Sequence, residues 1–145
     1  MNILGIELVC SCGACPEQYD AFLDGKYVGY FRLRHGFYSV TYPDWDGETL
    51  IHESAIGDGI FDSDERMDCL SRGCLAILDK LGKTPKFKCV KESPDYHEDG
   101  ISDNCRCTVG NIYEIDSMKD SRFGKMLVIS GEWHLAECFE SVPLE

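Results

Sequence analysis

Apolar and polar residues alternate along the early part of the chain, the pattern of strands with one buried face. "EQYDAFL" and "KYVGYFRLR" flank Asp24-Gly25, a pair that favours the two-residue hairpin turn. On the second strand Tyr27, Gly29, Phe31 and Leu33 share one face, and Val28, Tyr30, Arg32 and Arg34 share the other. His35-Gly36 offers a second tight turn, and "FYSVTY" reads as the next strand, ended by Pro43. "ETLIHE" is a candidate short strand, and "ILGIELV" a candidate strand at the start.

From Met67 the spacing changes to that of an α-helix. Met67, Leu70, Cys74, Ile77, Leu78 and Leu81 fall on one helical face. Asp62 stands three residues before Glu65, the arrangement of an N-terminal cap with a reciprocal acid. Asp64 and Glu65 suit the positive end of the helix dipole. Gly82 and Pro85 stop the helix.

Beyond Gly82 no helical spacing returns. "FKCV" is a short strand, "KESPDYHEDGISDN" a polar loop, and "NIYEID", "KMLVIS" and "CFESV" are further strands punctuated by glycines. Closely spaced short strands of this kind point to a small barrel. The fold class is therefore α+β: residues 1–83 form a β-meander with one helix, and residues 84–145 a small β-barrel.

Composition narrows the setting. The apolar share of 43% and charged share of 28% are those of a folded domain. "MNILGIELVC" has no basic residue ahead of its apolar stretch and does not read as a secretory signal, so a cytoplasmic location is expected. In that reducing compartment the nine cysteines are expected as small core residues, metal ligands or reactive thiols rather than disulfides. Net charge is −12, with 14 acidic and 7 basic residues up to Lys83 and 12 and 7 after it. Such a balance disfavours nucleic acid and anionic membranes, and suits docking on a basic protein surface.

The second half resembles SH3-like barrels common in small bacterial and phage proteins. The resemblance is carried by "VGNIYEID" and by "GEWHLAECFESV", a strand, a tight turn and a closing strand. The first half is similar to a family of uncharacterised small phage and prophage proteins, through "CPEQYDAFLDG", "GYFRLRHG" and "GDGIFDSDER". These resemblances imply a viral origin, acting in the host cell cytoplasm, and no particular chemistry.

Four clusters bear on function. Cys12 and Cys15 have zinc-knuckle spacing, and Cys10 adds a third sulfur. A structural zinc needs a fourth ligand, for which His35 is a candidate. The alternatives are a redox dithiol, which such motifs place before a helix rather than a strand, and thiols that fill the core. "SAIGDGIFDSDE" matches the second half of a calcium loop through Asp58, Gly59, Asp62 and Glu65. Its first half lacks ligands, and a turn before a capped helix is the ordinary alternative. Arg32 and Arg34 share a strand face and, with His35, could clamp a phosphate or carboxylate, or pair with nearby acids. Tyr30 and Tyr38 are the aromatic contacts expected beside them.

No phosphate loop, nucleophile elbow or HxxxH motif occurs, and an enzyme is not expected. The leading expectation is an acidic, phage-encoded interaction protein that binds and modulates a host protein, as an inhibitor of a host defence system would. The alternative is a small enzyme or zinc- or ligand-binding protein built on Cys10–Cys15 and the Arg32, Arg34 and His35 strand end.

Overall fold

A computed structural model describes residues 1–12, 16–92, 95–97, 100–102 and 107–143, with the backbone alone at 12, 95–97 and 100–102. The chain divides into two compact units, Met1–Leu81 and Gly82–Glu145. The fold is mostly β with one helix, an α+β arrangement.

The first unit is a six-stranded antiparallel meander. Its strands are β1 (Asn2–Ile3), β2 (Ile6–Cys12), β3 (Glu17–Leu23), β4 (Lys26–Arg34), β5 (Phe37–Tyr42) and β6 (Glu48–Ser54). Each strand pairs with its successor. The turns at Asp24-Gly25 and His35-Gly36 have positive φ at both central residues (52° and 79°, 53° and 76°). That backbone twist matches the twist of the flanking strands and sets the pairing register. The expected strand "ILGIELV" is two strands: Leu4 and Gly5 take positive φ and fold β1 back on β2.

Helix α1 (Arg66–Lys80) packs on one face of the sheet. Leu70, Cys74, Ile77 and Leu78 are fully buried, together with Ile6, Phe31, Leu33, Tyr38 and Val40 of the sheet. Met67 and Leu81, expected in this stripe, are only half-buried, whereas Cys69, Ser71 and Gly73 are buried. The helix lies too close to the sheet at Gly73 for a side chain. A Cβ there would stand 2.5 Å from both Phe31 Cε2 and Tyr38 Oη.

The helix start differs in part from the expected cap. Asp62 Oδ1 accepts the Asp64 N–H (2.9 Å), and Glu65 Oε2 accepts the Asp62 N–H (3.0 Å), so the reciprocal acid is present. Regular helix begins only at Arg66.

The second unit contains β7 (Lys86–Cys89), β8 (Asp95–His97), β9 (Gly100–Ser102), β10 (Ile112–Tyr113), β11 (Ser117–Ser121), β12 (Gly124–Ile129), β13 (Glu132–Leu135) and β14 (Phe139–Val142). A single 3-10 turn, Ala136–Cys138, separates the last two. Two sheets form, β10-β7-β14 and β11-β12-β13-β8-β9, neither closed among the described residues. Two short strands, β8 and β9, occupy the segment expected as a polar loop. Met126, Leu127, His134, Cys89 and Cys138 are buried here.

Candidate functional site: the outer face of the N-terminal sheet

With α1 on the inner face, strand alternation decides what the outer face carries. Phe31 and Leu33 of β4 point to the helix, which sends Tyr30, Arg32 and Arg34 the other way. Register extends the row. Arg32 is opposite Gln18 of β3 and Ser39 of β5, and Ser39 is opposite His52 of β6. Arg34 is opposite Phe37. The Phe37 ring, 50% exposed, stacks on the His52 ring with centroids 5.4 Å apart and planes 4° from parallel.

Two open hollows meet on this face at Arg34 and His35. One, of about 360 Å³, is lined by Arg32, Arg34, His35, Phe37, Ser39 and His52. The other, of about 420 Å³, is lined by Pro16, Gln18, Arg34, His35, Asp58 and Gly59. Arg34 Nε donates to His35 Nε2 (3.2 Å), which orients the guanidinium and leaves its terminal N–H groups available. Neither Arg32 nor Arg34 has a carboxylate within 4.0 Å among the described residues.

The rim of the second hollow is a loop held at both ends. The Gly36 N–H donates to Asp58 O (2.7 Å), and the Glu17 N–H to Gly59 O (2.7 Å). Glu65 accepts the N–H groups of Ile56 (2.8 Å), Gly57 (2.7 Å) and Asp62 (3.0 Å). Glu17 Oε1 accepts the Phe61 N–H (3.0 Å). The loop nonetheless presents Ile56 and Ile60 to solvent, 77% and 49% exposed.

Glu17 ties loop, sheet and helix together. It is buried; its Oε2 accepts Arg66 Nε (3.0 Å) and the Tyr19 hydroxyl, and its Oε1 accepts Arg66 Nη2 (3.1 Å). Burial by itself would raise the Glu17 carboxyl. The hydrogen bonds from Arg66, Tyr19 and the Phe61 N–H outweigh it and hold the group below its ordinary value. The Tyr19 hydroxyl is pushed up by burial and by the adjacent Glu17 carboxylate.

Among the expected site residues, Arg32, Arg34 and His35 come together, and half-buried Tyr30 shares their face. Tyr38 does not belong with them. It is fully buried on the opposite face, its hydroxyl donating to Cys69 O (2.7 Å), because β5 must place Tyr38 and Val40 under the helix. Glu65, the twelfth position of the calcium-loop match, accepts backbone N–H groups on both its oxygens.

Of the cysteine cluster, Cys10 is exposed on β2, Cys15 lies outside the described residues, and Cys12 is described by its backbone alone. A bulge between Cys10 and Cys12 sets them opposite Tyr19 and Gln18, residues on different faces of β3. Among the described residues no group of three His, Cys, Asp or Glu side chains is placed to hold a metal ion. Cys69 is pushed up to about 11 by burial, and burial raises Cys74 further, so both are protonated thiols of the core.

Sequence reasoning missed Ser39, His52 and Gln18, and did not single out Phe37 from the other aromatics of the sheet. The two-residue turn at His35-Gly36 already implies that Arg34 faces Phe37 and Arg32 faces Ser39. His52 was not accessible this way, because a bulge at Val40 and Thr41 shifts the β5–β6 register. Comparison with protein-family models, with curated proteins and with solved structures finds no match for this chain.

Proposed function

We propose that this chain is a non-catalytic interaction protein that docks on another protein through the outer face of its N-terminal sheet. The observation that carries this is the grouping of Arg32, Arg34, His35, Phe37 and His52 around open hollows on a rigid antiparallel sheet. Aromatic and arginine side chains in such a setting supply the desolvated anchors of protein interfaces. Ile56 and Ile60, exposed on a hydrogen-bonded loop, add apolar contact with little ordering cost.

The wider setting belongs to the same reading. The chain is a phage-encoded protein acting in the host cytoplasm, and its partner is a host protein, in the manner of an inhibitor of a host defence system. A net charge of −12 favours a partner whose surface is basic overall and disfavours nucleic acid. The second unit is a small SH3-like barrel in this reading, supported by the succession of β13, the Ala136–Cys138 turn and β14. No helix among the described residues is long and apolar enough to cross a membrane.

The test is affinity capture from host lysate, then re-binding with the captured protein purified. Direct binding that weakens with salt and drops in an Arg34→Ala, Phe37→Ala variant supports the reading. A purified candidate that does not bind, or a gel shift of DNA or RNA by the isolated chain, overturns it.

A further inference from the structure

Arginine in the first unit divides into two kinds. On α1, Arg66 is clamped by Glu17, and Arg72 Nε is bonded to Asp68 (3.0 Å) while its Nη2 reaches Glu53 (2.5 Å). Lys80 at the helix end holds Glu48 (2.8 Å). On β4, Arg32 and Arg34 meet no carboxylate among the described residues, although acids outnumber bases 26 to 14 in the chain. In so acidic a chain, unanswered arginines side by side on a rigid strand are donors presented outward.

Their spacing selects the acceptor. Residues i and i+2 of a strand lie on one face about 6.5–7 Å apart. An extended peptide repeats that interval, so carboxylates two residues apart on it match the two guanidiniums, each pair bidentate. The Ser39 hydroxyl and Gln18 amide flank Arg32 across the register. Phe37, stacked on His52, offers an apolar seat beside Arg34. Asp58 lines the far hollow and limits how far negative charge can run.

We infer that this face is the recognition site for a short extended acidic segment of a protein partner, of the form acid-x-acid, with an apolar residue set against Phe37. The inference rests on the interaction reading above and specifies the contact within it. A partner that is basic overall but displays one such segment fits both the acidic body and the cationic groove. A long polyanion does not, since each charge beyond the pair meets an acidic surface.

The test uses the full chain and a labelled ten-residue peptide carrying Glu-Val-Glu in a Gly/Ser frame, followed by fluorescence anisotropy. Saturable binding is expected, weakened about tenfold or more by Arg32→Gln or Arg34→Gln, the loss of one charge-assisted contact. The Gln-Val-Gln peptide is expected not to bind, and Lys26→Gln or Lys83→Gln to leave the affinity unchanged. Unchanged circular dichroism in each variant establishes that folding is intact. Equal binding by the arginine variants, no binding of the acidic peptide, or tighter binding of a ten-nucleotide single strand overturns the inference. If the captured partner still binds the Arg32→Gln, Arg34→Gln protein with full affinity, this contact is wrong while the interaction reading stands. If the peptide binds but no host protein does, the reverse holds.

Discussion

On the helix side of the N-terminal sheet, Arg66 and Arg72 are met by Glu17, Glu53 and Asp68; on the outer side, Arg32 and Arg34 are met by solvent and by His35. The same residue type serves two ends on two faces of one layer. Behind the sheet, charge is neutralised locally, and it anchors β3 to α1 and to the loop ahead of it. In front, charge is left open where two hollows meet. Changes behind the sheet should therefore appear in stability, and changes in front should appear in binding.

The largest effect expected is in the core. Leu78 is fully buried under the sheet, and Leu78→Ala should cost about 2–5 kcal/mol through lost contacts and the cavity left. Denaturant unfolding followed at the helix circular dichroism signal checks it. A cost below about 1 kcal/mol, far under this class of substitution, would place Leu78 outside the core.

Gly73→Ala tests the close approach of helix and sheet. Alanine normally favours a helix, yet here its methyl would press on Phe31 and Tyr38 at 2.5 Å. A net loss of about 1–3 kcal/mol is expected, overpacking outweighing helix propensity. A stabilised variant would show the two layers to be further apart.

Glu17→Gln comes next, at about 1–3 kcal/mol, since it leaves the Arg66 guanidinium without its charged acceptor. It carries a pH signature as well. The Glu17 carboxyl is held below its ordinary value of 4.5 in the folded protein. Its contribution to stability is therefore full above 4.5 and is lost as pH falls through the lower folded value. Acid unfolding profiles of the two proteins should converge at low pH. Parallel profiles would remove Glu17 from the acid transition.

The smallest effect on stability belongs to the outer face. Arg32→Gln and Arg34→Gln should each shift unfolding by no more than about 0.5 kcal/mol, as surface changes without a bonded carboxylate do. A larger loss would make these arginines structural and erase the contrast between the faces.

Much of this was legible in the chain, for reasons particular residues make plain. The helix was readable because Leu70, Cys74, Ile77 and Leu78 repeat at its period. The β3–β4 and β4–β5 hairpins were readable because Asp24-Gly25 and His35-Gly36 favour one turn geometry. The grouping of Arg32, Arg34 and His35 followed from alternation. Tyr38 was misplaced although the His35-Gly36 turn pairs Phe37 with Arg34 and Ser39 with Arg32, which leaves Tyr38 on the opposite face; the docking of α1 makes that face the core. The role of Glu17 was illegible, since it meets Arg66 across 49 positions; Glu65 was legible as the reciprocal acid of Asp62 but not in its hold on Ile56 and Gly57 of the preceding loop.

By itself, then, the sequence determined the local elements, because period, turn chemistry and the glycine past the helix are short-range properties of the chain. It also determined the acidic balance and the pair of arginines on one strand face. Tertiary structure alone decided which face of the sheet the helix covers, and so which aromatics are core and which are free to meet a partner. It decided too that Arg66 meets Glu17 and that Arg72 reaches Glu53 beyond its helical neighbour Asp68. Both are outcomes of long-range packing, in which burial of Leu70, Ile77, Leu78, Phe31 and Tyr38 together outweighs any local preference.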